Sequence, residues 1–196
     1  MKKRLLVLLF AVALVVPAFA EKGEMSINGK LGLGLISSVA INSDKDAYSV
    51  LKTDMPFMLG AEFFYGVIDC LSVGVGANYL FDTDAKVKID GDKVKGGTTN
   101  IYLAVKPEIK TNSDIFSSVY FIGQLGLSIG RTEIGGYEPS MDSGLYLGTG
   151  FGTMIKDVVL VELIFSTSNS TMKVPYQDFD LEYSVTSINI GYKFTI

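Results

Sequence analysis

Four ionisable residues stand inside stretches that otherwise alternate apolar with small or polar side chains: Lys30, Glu62, Glu162 and Lys193. Two ammonium and two carboxylate groups in such surroundings suit ion pairing better than turnover, because an unpaired charge held away from water is too costly to keep. The chain has no histidine, so it lacks the side chain that most often serves as a base near neutral pH. No serine, threonine or cysteine stands out with a base beside it, and the expectation is a protein that is not an enzyme.

Other chemical candidates fail on spacing or context. Asp82, Asp84, Asp90 and Asp92 are dense enough to suggest calcium, but they do not follow the ligand pattern of an EF-hand loop. Gly148, Gly150 and Gly152 recur at period two and open no helix, unlike a dinucleotide-binding turn. Cys70 is the single cysteine, so no disulfide framework supports the fold, and a small apolar turn residue is its expected role. No cofactor and no metal site is expected.

The elements that must position the four charges are strands. Ile27, Leu31, Leu33, Leu35, Val39 and Ile41 share one face of a first segment, with Asn28, Lys30, Gly32, Gly34 and Ser38 opposite. Phe57, Leu59, Ala61, Phe63 and Tyr65 oppose Gly60 and Glu62, and the same alternation recurs until eight segments are counted, the last ending at Ile196. Period-two alternation marks half-buried strands, and a tilted membrane crossing needs about 9–11 residues of it. The links 42–54, 82–98, 131–142 and 167–180 are long and polar. Those at 66–70, 110–117 and 155–157 are shorter. Long outer loops alternating with short inner turns is the pattern of a membrane barrel. Within 82–98, Asp90-Gly91 sits between alternating arms and predicts a hairpin that continues past the membrane.

The N-terminus is read separately. Lys2, Lys3 and Arg4, the apolar run 5–16 and Ala18-Phe19-Ala20 follow the order of a cleaved secretory signal over 1–20, leaving 21–196 as one barrel domain. Removing those three cations from the 17 Lys and Arg leaves 14 against 21 Asp and Glu, a net charge near −7. Such an exported acidic chain is a poor partner for nucleic acid, which needs a basic stripe.

Which face looks outward decides between two architectures. The apolar faces carry no charge, whereas Lys30, Glu62, Lys106, Glu162 and Lys193 lie on the faces rich in Gly, Ser and Asn. An inward apolar face would make a soluble, lipocalin-like ligand binder. Its Phe and Leu side chains would then crowd a lumen that eight strands keep narrow. An outward apolar face meets lipid instead, where a Lys or Arg at mid-depth would cost about 2–4 kcal/mol. The expected fold is therefore all-β: an eight-stranded antiparallel up-and-down transmembrane β-barrel with a blocked lumen. First and last strands must meet to close it, which predicts a lumen network Glu62–Lys30–Lys193–Glu162. Tyr65, Tyr79, Phe81 and Tyr192 are candidates for the aromatic girdle.

The chain ends Asn189-Ile190-Gly191-Tyr192-Lys193-Phe194-Thr195-Ile196. This resembles the C-terminal assembly signal of bacterial outer-membrane barrels, with Asn189, Gly191, Phe194 and Ile196 at its marked positions, although Ile196 stands where an aromatic is usual. With that ending, the mature chain resembles the small eight-stranded barrels typified by the transmembrane domain of outer-membrane protein A, outer-membrane protein X and the opacity adhesins. The resemblance implies an outer-membrane location, contact with membrane lipids and recognition by the barrel-assembly machinery. It also implies a structural and surface-interaction role through the loops 42–54, 82–98, 131–142 and 167–180. A small conduit for small or hydrophobic molecules is the other functional expectation.

Overall fold

The computed structural model describes residues 22–42, 49–52, 55–89, 92–134, 136, 138–174 and 177–196. The proposed signal segment 1–20 lies outside these described residues. Nine strands follow one another: β1 (Met25–Asn42), β2 (Ser49–Lys52), β3 (Phe57–Ile68), β4 (Leu71–Ile89), β5 (Asp92–Lys110), β6 (Phe116–Ile134), β7 (Ser140–Ile155), β8 (Val159–Val174) and β9 (Gln177–Thr195). Each is antiparallel to its neighbour, and β1 pairs with β9, so the sheet closes on itself. Eight crossings form the wall. The ninth strand, β2, continues the crossing of β3 beyond Met55-Pro56 and pairs with β1 at Ser38↔Lys52.

Closure gives every strand of the wall a partner on each side, the condition for a sheet to exist in lipid. Alternation then sorts the side chains. Leu31, Val75, Leu127 and Ile190 are 67, 52, 61 and 57 % exposed, whereas Lys30 and Glu62 are 7 and 2 % exposed. The apolar face points outward, and the soluble, inward-packed alternative is excluded. On β6 the outward apolar series runs from Val119 to Ile129, which matches the length of one tilted crossing. Aromatic pairs mark its edges: Tyr192 and Phe194 stack at 4.5 Å near the chain terminus, and Tyr79 meets Phe81 edge-on at 4.9 Å near the opposite rim.

Three features depart from the alternation rule. First, a β-bulge shifts the β1–β9 register between Gly34 and Ile36. One added residue reverses the faces beyond it, so Ile36 is exposed and Val39, placed outward by simple alternation, points inward. Second, most of the long links are strand. The β4–β5 ladder reaches Ile89↔Asp92 and the β8–β9 ladder reaches Val174↔Gln177. Of the loop 42–54, residues 43–48 and 53–54 lie outside the described residues. Third, the inner face is not lined only by small groups. Phe64, Tyr102, Tyr120, Ile122, Tyr146, Met154, Leu160 and Ile164 are buried there.

Glycine explains how such bulk fits. A Cβ on Gly76 would sit 2.6 Å from the Tyr102 ring, and one on Gly152 would sit 2.6 Å from the Tyr120 ring. Each ring occupies the space that the glycine on the neighbouring strand leaves. The short β7–β8 connection is a two-residue turn with Lys156 and Asp157 at φ of 50° and 59°, closed by Val158 N donating to Ile155 O at 3.1 Å. Positive φ at both central residues matches the right-handed twist of the flanking strands. Cys70 lies in the β3–β4 turn beside Asp69.

Candidate functional site: a buried ion cluster in the lumen

The register brings β1, β3 and β9 together around Lys30. Lys30 is opposite Gly60 on β3 and Gly191 on β9, so both neighbours leave room for its side chain. Its Nζ lies 2.6 Å from Glu62 Oε1 and 3.0 Å from Glu162 Oε2. One ammonium thus holds two carboxylates from opposite walls. At such separations in a low-dielectric interior the attraction is far larger than in water, and it offsets the removal of three charges from solvent only if further hydrogen bonds complete the site.

Such bonds come from six further residues of the inner face, and they leave Glu62 Oε2 without a hydrogen-bond partner. Tyr102 OH donates to Glu62 Oε1 at 2.9 Å, and Gln124 Nε2 donates to the same oxygen at 3.1 Å. Tyr120 OH donates to Glu162 Oε1 at 3.1 Å. Behind Gln124 the donors run in one direction. Asn100 donates to Asn78 at 2.7 Å, Asn78 to the Tyr146 hydroxyl at 3.3 Å, and Tyr146 to Gln124 Oε1 at 2.8 Å. Successive donors polarise one another, and the whole chain ends on Glu62.

A second pair lies beyond the Tyr120 ring. Lys106 Nζ is 3.5 Å from Glu108 Oε2, 4.8 Å from the Phe64 centroid and 5.0 Å from the Tyr120 centroid. An ammonium between two ring faces gains cation–π attraction where water is scarce.

Lys193 is outside the cluster, contrary to the expectation from the sequence. It pairs with Glu24. The β1–β9 register explains why: Lys193 is opposite Asn28, two residues nearer the chain termini than Lys30, and Gly191 takes the place beside Lys30. The structure therefore joins Lys30, Glu62 and Glu162, and leaves Lys193 at the rim. Tyr102, Tyr120, Gln124, Tyr146, Asn78 and Asn100 were legible only as inner-face residues; nothing in their local sequence marks them as partners of Glu62. Among the assembly-signal positions, Asn189 is buried in the lumen and Gly191 adjoins Lys30, while Phe194 and Ile196 are exposed on the outer wall.

Above the cluster the lumen holds two cavities of about 10 Å³ each, roughly the room one water needs. The first is bordered by Lys30, Met58, Gly60 and Asn78, and the second by Met58, Asn78, Leu80 and Tyr183. Higher still, Val39, Met172, Leu181 and Tyr183 pack into an apolar core, with Met141 and Phe179 against it. The polarity of the wall has inverted by this level. Asp142 and Lys173 pair outside at 2.7 Å, and Thr171 donates to Asp180 at 2.9 Å. A polar inside under an apolar belt, then an apolar inside under a polar surface, is the order expected of a barrel that leaves lipid for water.

No family model matches the chain, and no curated protein matches it in sequence. Solved structures do match in fold. The outer membrane protein OprG from Pseudomonas aeruginosa aligns with a TM-score of 0.51 and 20 % identity, over 90 % of this chain and 98 % of that one. Ail, the attachment invasion locus protein of Yersinia pestis, solved with the heparin analogue sucrose octasulfate, aligns at 0.53 and 16 %, over 89 and 100 %. Neisserial surface protein A aligns at 0.51 and 14 %, over 87 and 97 %. At these identities the likeness is one of architecture, and it extends over nearly the full length of each partner.

Proposed function

Because the chain has the fold of the small eight-stranded outer-membrane β-barrels, we propose that it resides in that membrane as a structural and surface-interaction protein without enzymatic activity. The observation that carries this reading is the filled lumen. A cluster of five buried charges, with the apolar core above it, occupies the axis, so the surface left for function is the strand extension outside the lipid. In this reading residues 1–20 direct export, and the C-terminal positions Asn189, Gly191, Phe194 and Ile196 are recognised during assembly.

Ail carries attachment in its name and was solved with a sulfated sugar analogue. The same kind of ligand suits this chain poorly. The stretches 42–54, 82–98, 131–142 and 167–180 hold 12 acidic against 8 basic residues, so a dense polyanion meets net repulsion, and a neutral or cationic surface is the better partner. A second reading, a conduit for small molecules, draws support from the two cavities above Lys30.

Two measurements separate the readings. In planar bilayers the purified protein is expected to give no stable single-channel current. In adhesion assays, cells displaying the protein are expected to bind a cationic surface more than cells displaying a version with Glu133→Gln, Glu138→Gln and Asp178→Asn, which removes three of the acidic groups. Sustained currents from the pure protein would overturn the ranking, and equal adhesion by both versions would remove these acidic groups from the interaction.

A further inference from the structure

The staves of this wall are not equally fastened. β3 has 12 residues, whereas the other seven crossing strands have 16 to 19. On one side its ladder with β1 runs from Met25↔Tyr65 to Leu33↔Phe57, is extended by main-chain bonds at Gly23–Gly66 and Gly34–Pro56, and resumes in β2, whereas on the other its ladder with β4 runs only from Ile68↔Leu71 to Met58↔Leu80. The seam between β1 and β9, by contrast, extends from Ser26↔Thr195 to Asn42↔Asp180. Among the described residues, the continuation of this crossing in β2 pairs with β1 and not with β4. Main-chain hydrogen bonds are what hold one stave to the next, so the stave whose ladder is cut short on its β4 side is the one that opens at least cost, along that seam.

What β3 lacks in ladder it recovers in the lumen. Its inward Glu62 accepts from Lys30 on β1, Tyr102 on β5 and Gln124 on β6. These donors reach it from beside and from across the barrel, and all of them are lost together if β3 swings outward. Hydrogen bonds to a charged group in a dry site are the strong kind. The same movement would displace Met58 and Gly60, which wall the first cavity, and Met58 also walls the second.

We propose that β3 is a movable stave of the barrel and that Glu62 is the latch that keeps it closed. This goes beyond the surface role and does not depend on what the exterior binds. The latch is a positioning residue: it acts by holding a strand, and its removal opens the outer half of the lumen along one seam rather than loosening the whole wall.

Hydrogen exchange followed by mass spectrometry, on the full protein refolded in lipid nanodiscs, tests this directly. In the native protein the amides of 58–66 are expected to exchange fastest among those of the wall. Glu62→Ala is expected to speed exchange in 58–66 by about ten-fold or more, as loss of charge-assisted bonds in a local opening requires, while β6 to β8 change little. Glu162→Ala removes a carboxylate from the opposite wall but leaves the three donors on Glu62, and it is expected to affect β3 less. If Glu62→Ala does not fold, Glu62→Gln, which keeps the shape and loses the charge, replaces it with the same expectation at smaller size. Native exchange in β3 no faster than in β7 or β8, or an equal rise in every strand on removing the Glu62 charge, would overturn the proposal.

Discussion

Lys30 carries more of the lumen than its single charge suggests, because among the described residues it is the one cation paired with both Glu62 and Glu162. Lys30→Met leaves two buried carboxylates facing each other, and a loss of about 3–5 kcal/mol is expected, read from urea unfolding in detergent. Adding Glu62→Gln and Glu162→Gln to that variant is expected to recover much of the loss, since a neutral, well-packed replacement of a buried ion cluster is often tolerated. Lys193→Met, at the rim with Glu24, is expected to change stability by less than about 1 kcal/mol. Equal effects from Lys30 and Lys193 would contradict the division of roles. The four charged residues and their location inside were legible in the sequence. Which of them touch was not, because a two-residue difference in register along β9 decides whether Lys193 or Gly191 is beside Lys30.

Among the strands, face assignment is the property that sequence alternation predicts best and a bulge defeats. Leu127 on β6 faces lipid, and Leu127→Arg is expected to cost about 2–4 kcal/mol, measured as a lower unfolding midpoint of the refolded barrel. Past the bulge of β1 the logic reverses. Val39→Asp places a carboxylate against Met172, Leu181 and Tyr183 and is expected to destabilise the extension strongly, whereas Ser38→Asp beside it is expected to be nearly neutral. Tolerance of both would mean that the faces do not switch at Gly34–Ile36. The bulge has no local signature that alternation can use: Gly34 and Leu35 continue the pattern, and only the close approach of Pro56, 2.6 Å from a Cβ built on Gly34, shows why that backbone position must lack a side chain. The β4–β5 hairpin was legible as alternating arms, and its ladder reaches Ile89↔Asp92; the turn residues Asp90 and Gly91 lie outside the described residues.

For the molecule as a whole, closure is the consequence with the clearest experimental mark. A barrel without free edges in the membrane resists detergent, so the refolded protein is expected to migrate differently on a gel before and after boiling; identical migration would contradict a closed wall. Sequence alone determined the fold class, the outward direction of the apolar faces and the inward placement of Lys30, Glu62 and Glu162. It did so because lipid outside and a narrow lumen inside impose opposite rules on alternate residues, and those rules repeat in every strand. Only the tertiary structure decided that one lysine serves two glutamates, that tyrosines fill the spaces glycines leave, and that the β3–β4 ladder stops at Met58↔Leu80. Each of these depends on the register between strands distant in sequence, a quantity that no window along a single strand contains.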